Sequence, residues 1–213
     1  MMRLGGLQRF SLCDYPGKIA AVVFTQGCNF RCPFCHNSSL LSSRNPGGEI
    51  SEKDFFSFLQ KRAGMLEGVV ISGGEPTLQP DLAVFCRAVR EMGFLVKLDT
   101  NGSRPEVLKR LLADNLLDFI AMDIKATSER YHVLAGVPVD IAAVIKSITV
   151  ISRADIPALF RTTWVAGLHR PEERYLIPAM LPETMHHVFQ PFKPEHALQP
   201  GLCGMEQTSA RPA

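Results

Sequence analysis

Short apolar runs rich in β-branched residues alternate along this chain with longer stretches of helical periodicity. The apolar runs predict strands over 19–25, 68–72, 94–100, 118–123, 158–165 and 187–191. The periodic stretches predict helices near 52–65, 81–92, 105–115, 141–154 and 171–181. This alternation is the pattern of βαβ units on a parallel sheet, because a crossover helix must return the chain to the same end of the sheet before each new strand. Helix punctuation agrees. Ser51 precedes Glu52 and Asp54, where a hydroxyl can cap the first turn, and Gly93 follows the second helix, where a left-handed residue ends one. Right-handed crossovers curl the sheet in one sense, and six strands instead of eight leave an incomplete (β/α)6 parallel barrel, an α/β fold with an open side. No internal repeat or long linker divides the chain, so one domain is expected over 1–206, with 207–213 as a disordered tail.

Composition narrows the class. With 213 residues, 46% of them hydrophobic and 21% charged, the chain can bury a full core. Lys plus Arg is 23 and Asp plus Glu is 21, so the net charge of +2 gives no electrostatic case for nucleic acid as a partner. The opening MMRLGGLQRF has no signal-like apolar region, and the longest apolar run, 19–24, is too short to span a bilayer. The expectation is a cytoplasmic protein with no membrane partner.

The cysteines carry the sharpest chemistry. Cys28, Cys32 and Cys35 are spaced C-x3-C-x2-C in QGCNFRCPFCHN. Cubane iron-sulfur clusters in electron carriers take four thiolates, so a compact set of three leaves one iron open to another ligand. Asn29 and Pro33 let a short loop wrap such a cluster, and soft thiolates suit iron or zinc far better than hard cations. Zinc, with His36 or a distant fourth ligand, is the alternative at this point. Three disulfides could form from six cysteines, but three crowded into eight positions of a reducing-compartment chain read as a metal site. Cys13, Cys86 and Cys203 lack cluster spacing, and Cys86 in LAVFCRAV reads as a small buried hydrophobe.

In a parallel α/β barrel, function gathers in the loops after the C-terminal ends of the strands. The first predicted strand runs into the cysteine loop, the second into SGGEP (72–76), the third into DTNG (99–102) and the fourth into MDIK (122–125). Each alone reads as an ordinary turn or solvated edge. Four on one rim, with the thiolates among them, point to a site. Among the histidines, His36 is expected to donate to cluster sulfurs or backbone. His169 and His196 are expected to be surface loop residues. His186 and His187, adjacent on a strand, face opposite ways and make a poor metal pair. Trp164 is expected in the core of the fifth predicted strand.

The stretch LQRFSLCDYPGKIAAVVFTQGCNFRCPFCHN (7–37), followed by SGGEPTLQ, KLDTNG and MDIK, resembles the radical S-adenosylmethionine enzymes, and within them the activating enzymes of glycyl-radical proteins. It is most similar to the anaerobic ribonucleoside-triphosphate reductase activating proteins. QPFKP, from Gln190, is a weaker echo, and Cys13 departs from the aliphatic residue expected there.

The resemblance implies a partial barrel of the radical S-adenosylmethionine type with a [4Fe-4S] cluster on Cys28, Cys32 and Cys35. S-adenosylmethionine would chelate the open iron and be cleaved by one electron to methionine and a 5′-deoxyadenosyl radical. That radical would take a hydrogen atom from a glycine α-carbon of a partner enzyme, without any catalytic residue beyond cluster and cofactor. Gly73 and Gly74 would let backbone approach the methionine, Glu75 would sit near its ammonium group, and Phe34 would lie against the adenine. Asp99 and Lys125 would contact the nucleoside or carboxylate, and Asn101 would shape the loop. A monovalent cation would be held by Asp99, Thr100 and Asp123. Electrons would come from reduced flavodoxin or ferredoxin. A pyruvate formate-lyase-like partner is the near alternative. A radical enzyme acting on a small molecule, such as a deazaguanine-forming synthase, would carry a longer insertion in the cysteine motif. A zinc-binding interaction module would leave SGGEP and DTNG unexplained.

Overall fold

The computed structural model describes residues 1–42, 50–194 and 197–203. The expected tail at 207–213 and His196 lie outside the described residues. Among the described residues, seven strands form one sheet in sequential order: β1 (Leu4–Ser11), β2 (Ala20–Thr25), β3 (Gly68–Gly73), β4 (Leu95–Thr100), β5 (Phe119–Asp123), β6 (Ala158–Trp164) and β7 (His187–Pro191). β2 through β7 are all parallel. The sheet ends at β1 and β7, which do not pair with each other, so the barrel is incomplete and open on one side, as expected.

β1 is an addition to the expected six strands. It runs antiparallel to β2, from Leu4 opposite Thr25 to Ser11 opposite Ala20, with irregular register at both ends. Its sequence, LGGLQRFS, carries two glycines and three exposed residues in a row, so no alternation marks it as a strand. An edge strand has one neighbour only, and here the pairing with β2 supplies what propensity does not.

Four helices cover the outer face of the sheet: α1 (Glu52–Gln60), α2 (Leu82–Glu91), α3 (Pro105–Ala113) and α5 (Ile141–Ser152). In α2 the buried residues Leu82, Phe85, Cys86 and Val89 fall at i, i+3, i+4 and i+7, one stripe of a helix. Each such apolar side chain contributes roughly 1.5–3 kcal/mol on full burial. Ser51 caps α1 through its hydroxyl, which accepts from the Asp54 N–H at 3.0 Å. Two short helices complete the set among the described residues, α4 (Tyr131–Ala135) and α6 (Glu173–Leu176). α4 was not expected, since five residues are too few to show a period. The helix expected over 171–181 is instead α6 followed by a separate 3-10 turn, Pro178–Met180. Pro178 lacks the N–H that a continuous α-helix would need there. α1 likewise stops at Gln60 and is followed by turns that include Gly64.

Alternate residues of the strands point inward. Val22 and Val70 pack there with Tyr15, while Ala21, Val23, Val69 and Ile71 join the outer core beneath the helices. Toward the C-terminal ends of the strands the inward positions turn polar: Ser72 on β3, Lys97 and Asp99 on β4, Asp123 on β5, Arg161 on β6. Among the described residues no helix is long and apolar enough to cross a membrane.

Candidate functional site

The loop that follows β2 is fixed at several backbone points. Gly27 N–H donates to the Leu40 carbonyl at 2.7 Å, and Arg31 N–H donates to the Ala135 carbonyl at the end of α4 at 2.8 Å. Phe30 packs edge-on against Tyr131 of α4, with centroids 6.4 Å apart. The segment after β7 then crosses back over the loop. Leu198 N–H donates to the Cys35 carbonyl at 3.1 Å, and Gln199 N–H to the Pro33 carbonyl at 2.8 Å. His36 lies 2.6 Å from the Lys193 carbonyl through Nε2 and stacks on Phe192. His36 therefore takes the backbone role among its expected alternatives, and QPFKP is the segment that holds it.

The three cysteine sulfurs border one cavity of about 370 Å³. Cys28 Sγ accepts from the Phe30 N–H at 3.4 Å and faces Asn101 Nδ2 at 4.0 Å. Such donors favour a sulfur carrying negative charge. Burial pushes the Cys28 thiol up to about 11 and Cys32 up to about 12, and raises Cys35 as well. Without metal these thiols keep their protons at neutral pH, so iron must displace protons to bind. The soft donor set, the cavity beside it and the donors aimed at Cys28 fit an iron-sulfur cluster.

The loops after β3, β4 and β5 supply much of the cavity wall, with Asp14, Arg161, Thr163 and Gln190 among its other lining residues. Every residue singled out there from the sequence, from Gly73 to Lys125, lines it, as does Phe34. The two glycines have an internal reason to be glycine. A Cβ on Gly73, whose φ is +108°, would lie 2.4 Å from Thr25 N, and one on Gly74 would lie 2.2 Å from the Gly27 carbonyl oxygen. The SGGEP turn thus presses directly on the cysteine loop.

Glu75 is buried and engaged by four donors. One carboxylate oxygen accepts from the Thr77 N–H at 3.0 Å, the Thr77 hydroxyl and the Thr100 hydroxyl at 2.8 Å; the other accepts from the Asn101 N–H at 2.7 Å. Burial pushes its pKa up and these donors pull it back. Glu75 ties SGGEP to DTNG rather than presenting a free carboxylate to the cavity. Glu75→Gln should destabilise the metal-free protein by about 1–3 kcal/mol in urea unfolding, because the amide nitrogen must confront a donor. An unchanged midpoint and slope would show that the tie between these loops contributes nothing.

A line of alternating charge runs up the inside of the barrel. Lys97 Nζ pairs with Asp99, whose other oxygen takes Ser72 Oγ at 3.1 Å and Arg161 at 3.4 Å. Arg161 Nε also donates to Asp123 at 2.9 Å, and Lys125 Nζ reaches the second Asp123 oxygen at 2.9 Å. Lys125 in turn lies 5.7 Å above the Phe34 ring. Although burial opposes each charge, the partners hold Asp123 well below the usual carboxylate range and Lys125 and Arg161 above theirs. Sequence reasoning missed Lys97 and Arg161. The available signal was a lone basic residue at an inward position of a strand, between Val96 and Leu98 for Lys97 and after Phe160 for Arg161.

Two expectations are corrected nearby. His169 is buried, not a surface residue: Nε2 lies 2.9 Å from the Lys125 carbonyl and Nδ1 accepts from the Val165 N–H at 3.1 Å. It anchors the loop that carries Lys125. Trp164 stands on β6 as expected but is only half-buried, between the His169 ring and the Arg174 guanidinium. His187 pairs with the Thr162 hydroxyl at 2.9 Å.

Comparison with known proteins bears on this geometry. A model described as the Radical SAM superfamily matches residues 22–175. A protein of Methanocaldococcus jannaschii named as a glycyl-radical enzyme activating enzyme is 32% identical over 200 residues, which is 91% of this chain and 81% of that protein. The pyruvate formate-lyase-activating enzyme of Clostridium pasteurianum is 31% identical over 64% of this chain, and this chain spans 58% of that enzyme's length. Streptococcus suis SuiB, solved with S-adenosylmethionine bound, shares the fold with a TM-score of 0.62 at 17% identity, over 79% of this chain and 39% of SuiB.

Proposed function

The chain belongs to the Radical SAM superfamily, and on that premise we propose that it installs a radical on a glycine of a partner enzyme, an anaerobic ribonucleoside-triphosphate reductase. Enzymes of this superfamily use a [4Fe-4S] cluster and S-adenosylmethionine, and these are the cofactors of this chain. When bound, they supply an electron and a carbon-centred radical able to remove a hydrogen atom. The observation that carries the reading is the likeness to a named glycyl-radical activating enzyme across 91% of the chain.

The residues then divide the work. Cys28, Cys32 and Cys35 would hold the cluster and leave a position on it open to the cofactor. The backbone of Gly73 and Gly74 would lie beside the methionine part, and Glu75 fixes that turn against Asn101. Phe34 would offer its ring to the adenine beneath the Lys125 ammonium, and Asp99 would orient the charged groups behind the nucleoside. The open side between β1 and β7 admits the glycine loop of the partner, and the surrounding walls keep water and stray hydrogen donors from the radical. Reduced flavodoxin or ferredoxin supplies the electron. The likeness to the clostridial enzyme favours a second reading, in which the partner is a pyruvate formate-lyase-like enzyme.

Electron paramagnetic resonance on the anaerobically reconstituted, reduced protein tests this. The cluster signal should shift on adding S-adenosylmethionine, and a glycyl-radical doublet should grow on the reductase after mixing. A doublet only on the lyase selects the second reading. A shifted cluster signal with no radical on either partner removes the activase reading.

A further inference from the structure

We infer that this chain carries its own cation: Lys97 and Arg161 fill the place beside Asp99 and Asp123 where a monovalent ion is expected, so cofactor binding needs no sodium or potassium. The inference rests on the reading that the cavity takes S-adenosylmethionine.

A metal cation needs oxygen lone pairs that no other partner holds. Here every oxygen of Asp99 and Asp123 already accepts from a fixed cation, so a metal ion would have to share or displace that partner. One Asp99 oxygen has the Lys97 ammonium and the other has Ser72 Oγ and Arg161. One Asp123 oxygen has Arg161 Nε and the other has Lys125 Nζ. The Thr100 hydroxyl donates to Glu75 and accepts from the Gly102 N–H at 3.1 Å. An ion placed between the two carboxylates would also face three fixed cations.

The charge along the line supports the same conclusion. Lys97, Arg161 and Lys125 oppose Asp99 and Asp123, three charges against two. The remaining carboxylates on the cavity wall do not join it: Glu75 is held by hydroxyl and amide donors, and Asp14 by the Ser11 hydroxyl. Lys97 is 2% exposed, with its ammonium over the Phe119 ring at 5.9 Å, and a lone buried ammonium is costly. Its pairing with Asp99 offsets that cost and leaves the Arg161 and Lys125 end of the line positive toward the cavity. That is the sign an amino-acid carboxylate requires. Lys97 is thus a positioning residue, acting through Asp99 and Arg161.

The test measures S-adenosylmethionine affinity of the cluster-loaded protein by equilibrium dialysis in tetramethylammonium, sodium and potassium chloride at equal ionic strength. The wild type should bind within about twofold in all three. Lys97→Met should bind about tenfold more weakly in tetramethylammonium and recover in potassium, whereas Lys97→Arg should behave as wild type. A wild-type gain of about tenfold on adding sodium or potassium overturns the inference and leaves the cofactor site standing. A direct thallium(I) titration of the wild type, with Asp123→Asn as its control, needs no cofactor. Saturable uptake that Asp123→Asn abolishes overturns the inference, and its absence upholds it. A loaded wild type that binds no S-adenosylmethionine in any salt sinks the proposed function instead.

Discussion

Cys32→Ala should lose the cluster and all cleavage of S-adenosylmethionine. Cys13 is exposed beside Ser11 and Asp14, and Cys86 is buried in α2 beneath the outer face of the sheet, so neither can replace a missing ligand. Cys32 is the most deeply buried of the three, and its carbonyl accepts the Cys35 N–H at 3.0 Å, an arrangement the backbone keeps when the sulfur is removed. The fold should therefore survive. Removing one buried sulfur costs on the order of 1 kcal/mol in urea unfolding of the metal-free protein. Iron, by contrast, should fall from about four atoms per chain to near zero after reconstitution, and the reduced-cluster resonance should vanish. Cys86→Ala is the matched control, with full iron and unchanged turnover. Turnover retained in Cys32→Ala, measured as 5′-deoxyadenosine formed, would put the cluster elsewhere.

The parts of this architecture legible in the sequence share one property: their signal is local. β2 through β7 each hold a short apolar run bounded by turn residues, and the helices α2 and α5 carry an i, i+3, i+4, i+7 stripe of their own. The loops after β3, β4 and β5 could be placed on one rim because parallel topology alone puts those strand ends together. β1 could not be read, since its warrant is the hydrogen bonding it shares with β2 and, at Leu4, with Ile50. α4 was hidden by its length, yet its last carbonyl is what Arg31 of the cysteine loop binds.

The charged line shows the same limit at the site itself. Asp99, Asp123 and Lys125 stand in motifs, but Arg161 is 62 residues from Asp99 and 38 from Asp123. Only the register that places Arg161 opposite Asp123 brings it to them. Glu75 is a related case. The motif marked it as important, but its four donors come from two loops, and its role in joining them depends on how closely those loops approach. A residue can be located from sequence while the groups that satisfy it cannot.

That close approach can be tested at Gly74. The residue does not have positive φ, so an alanine there strains no backbone angle, and any effect must come from contact. The added methyl would sit 2.2 Å from the Gly27 carbonyl oxygen and 2.7 Å from its carbon, both backbone atoms that no rotamer change can move away. Two hydrogen bonds lie on the same seam, Gly74 N–H to Thr25 at 2.9 Å and Glu75 N–H to Gly27 at 2.8 Å, and separating the loops weakens both. Gly74→Ala should therefore lose about 2–3 kcal/mol of stability, at the upper end for overpacking a tight site. It should also reduce iron loading, because Gly27 immediately precedes Cys28 and must shift with the loop. Gly6→Ala provides the control. Its Cβ would meet Phe24 at an ordinary 3.6 Å, so both stability and iron content should stay close to wild type. If Gly74→Ala matches Gly6→Ala in urea unfolding and in bound iron, the SGGEP turn does not bear on the cysteine loop, and the cavity wall described between them is wrong.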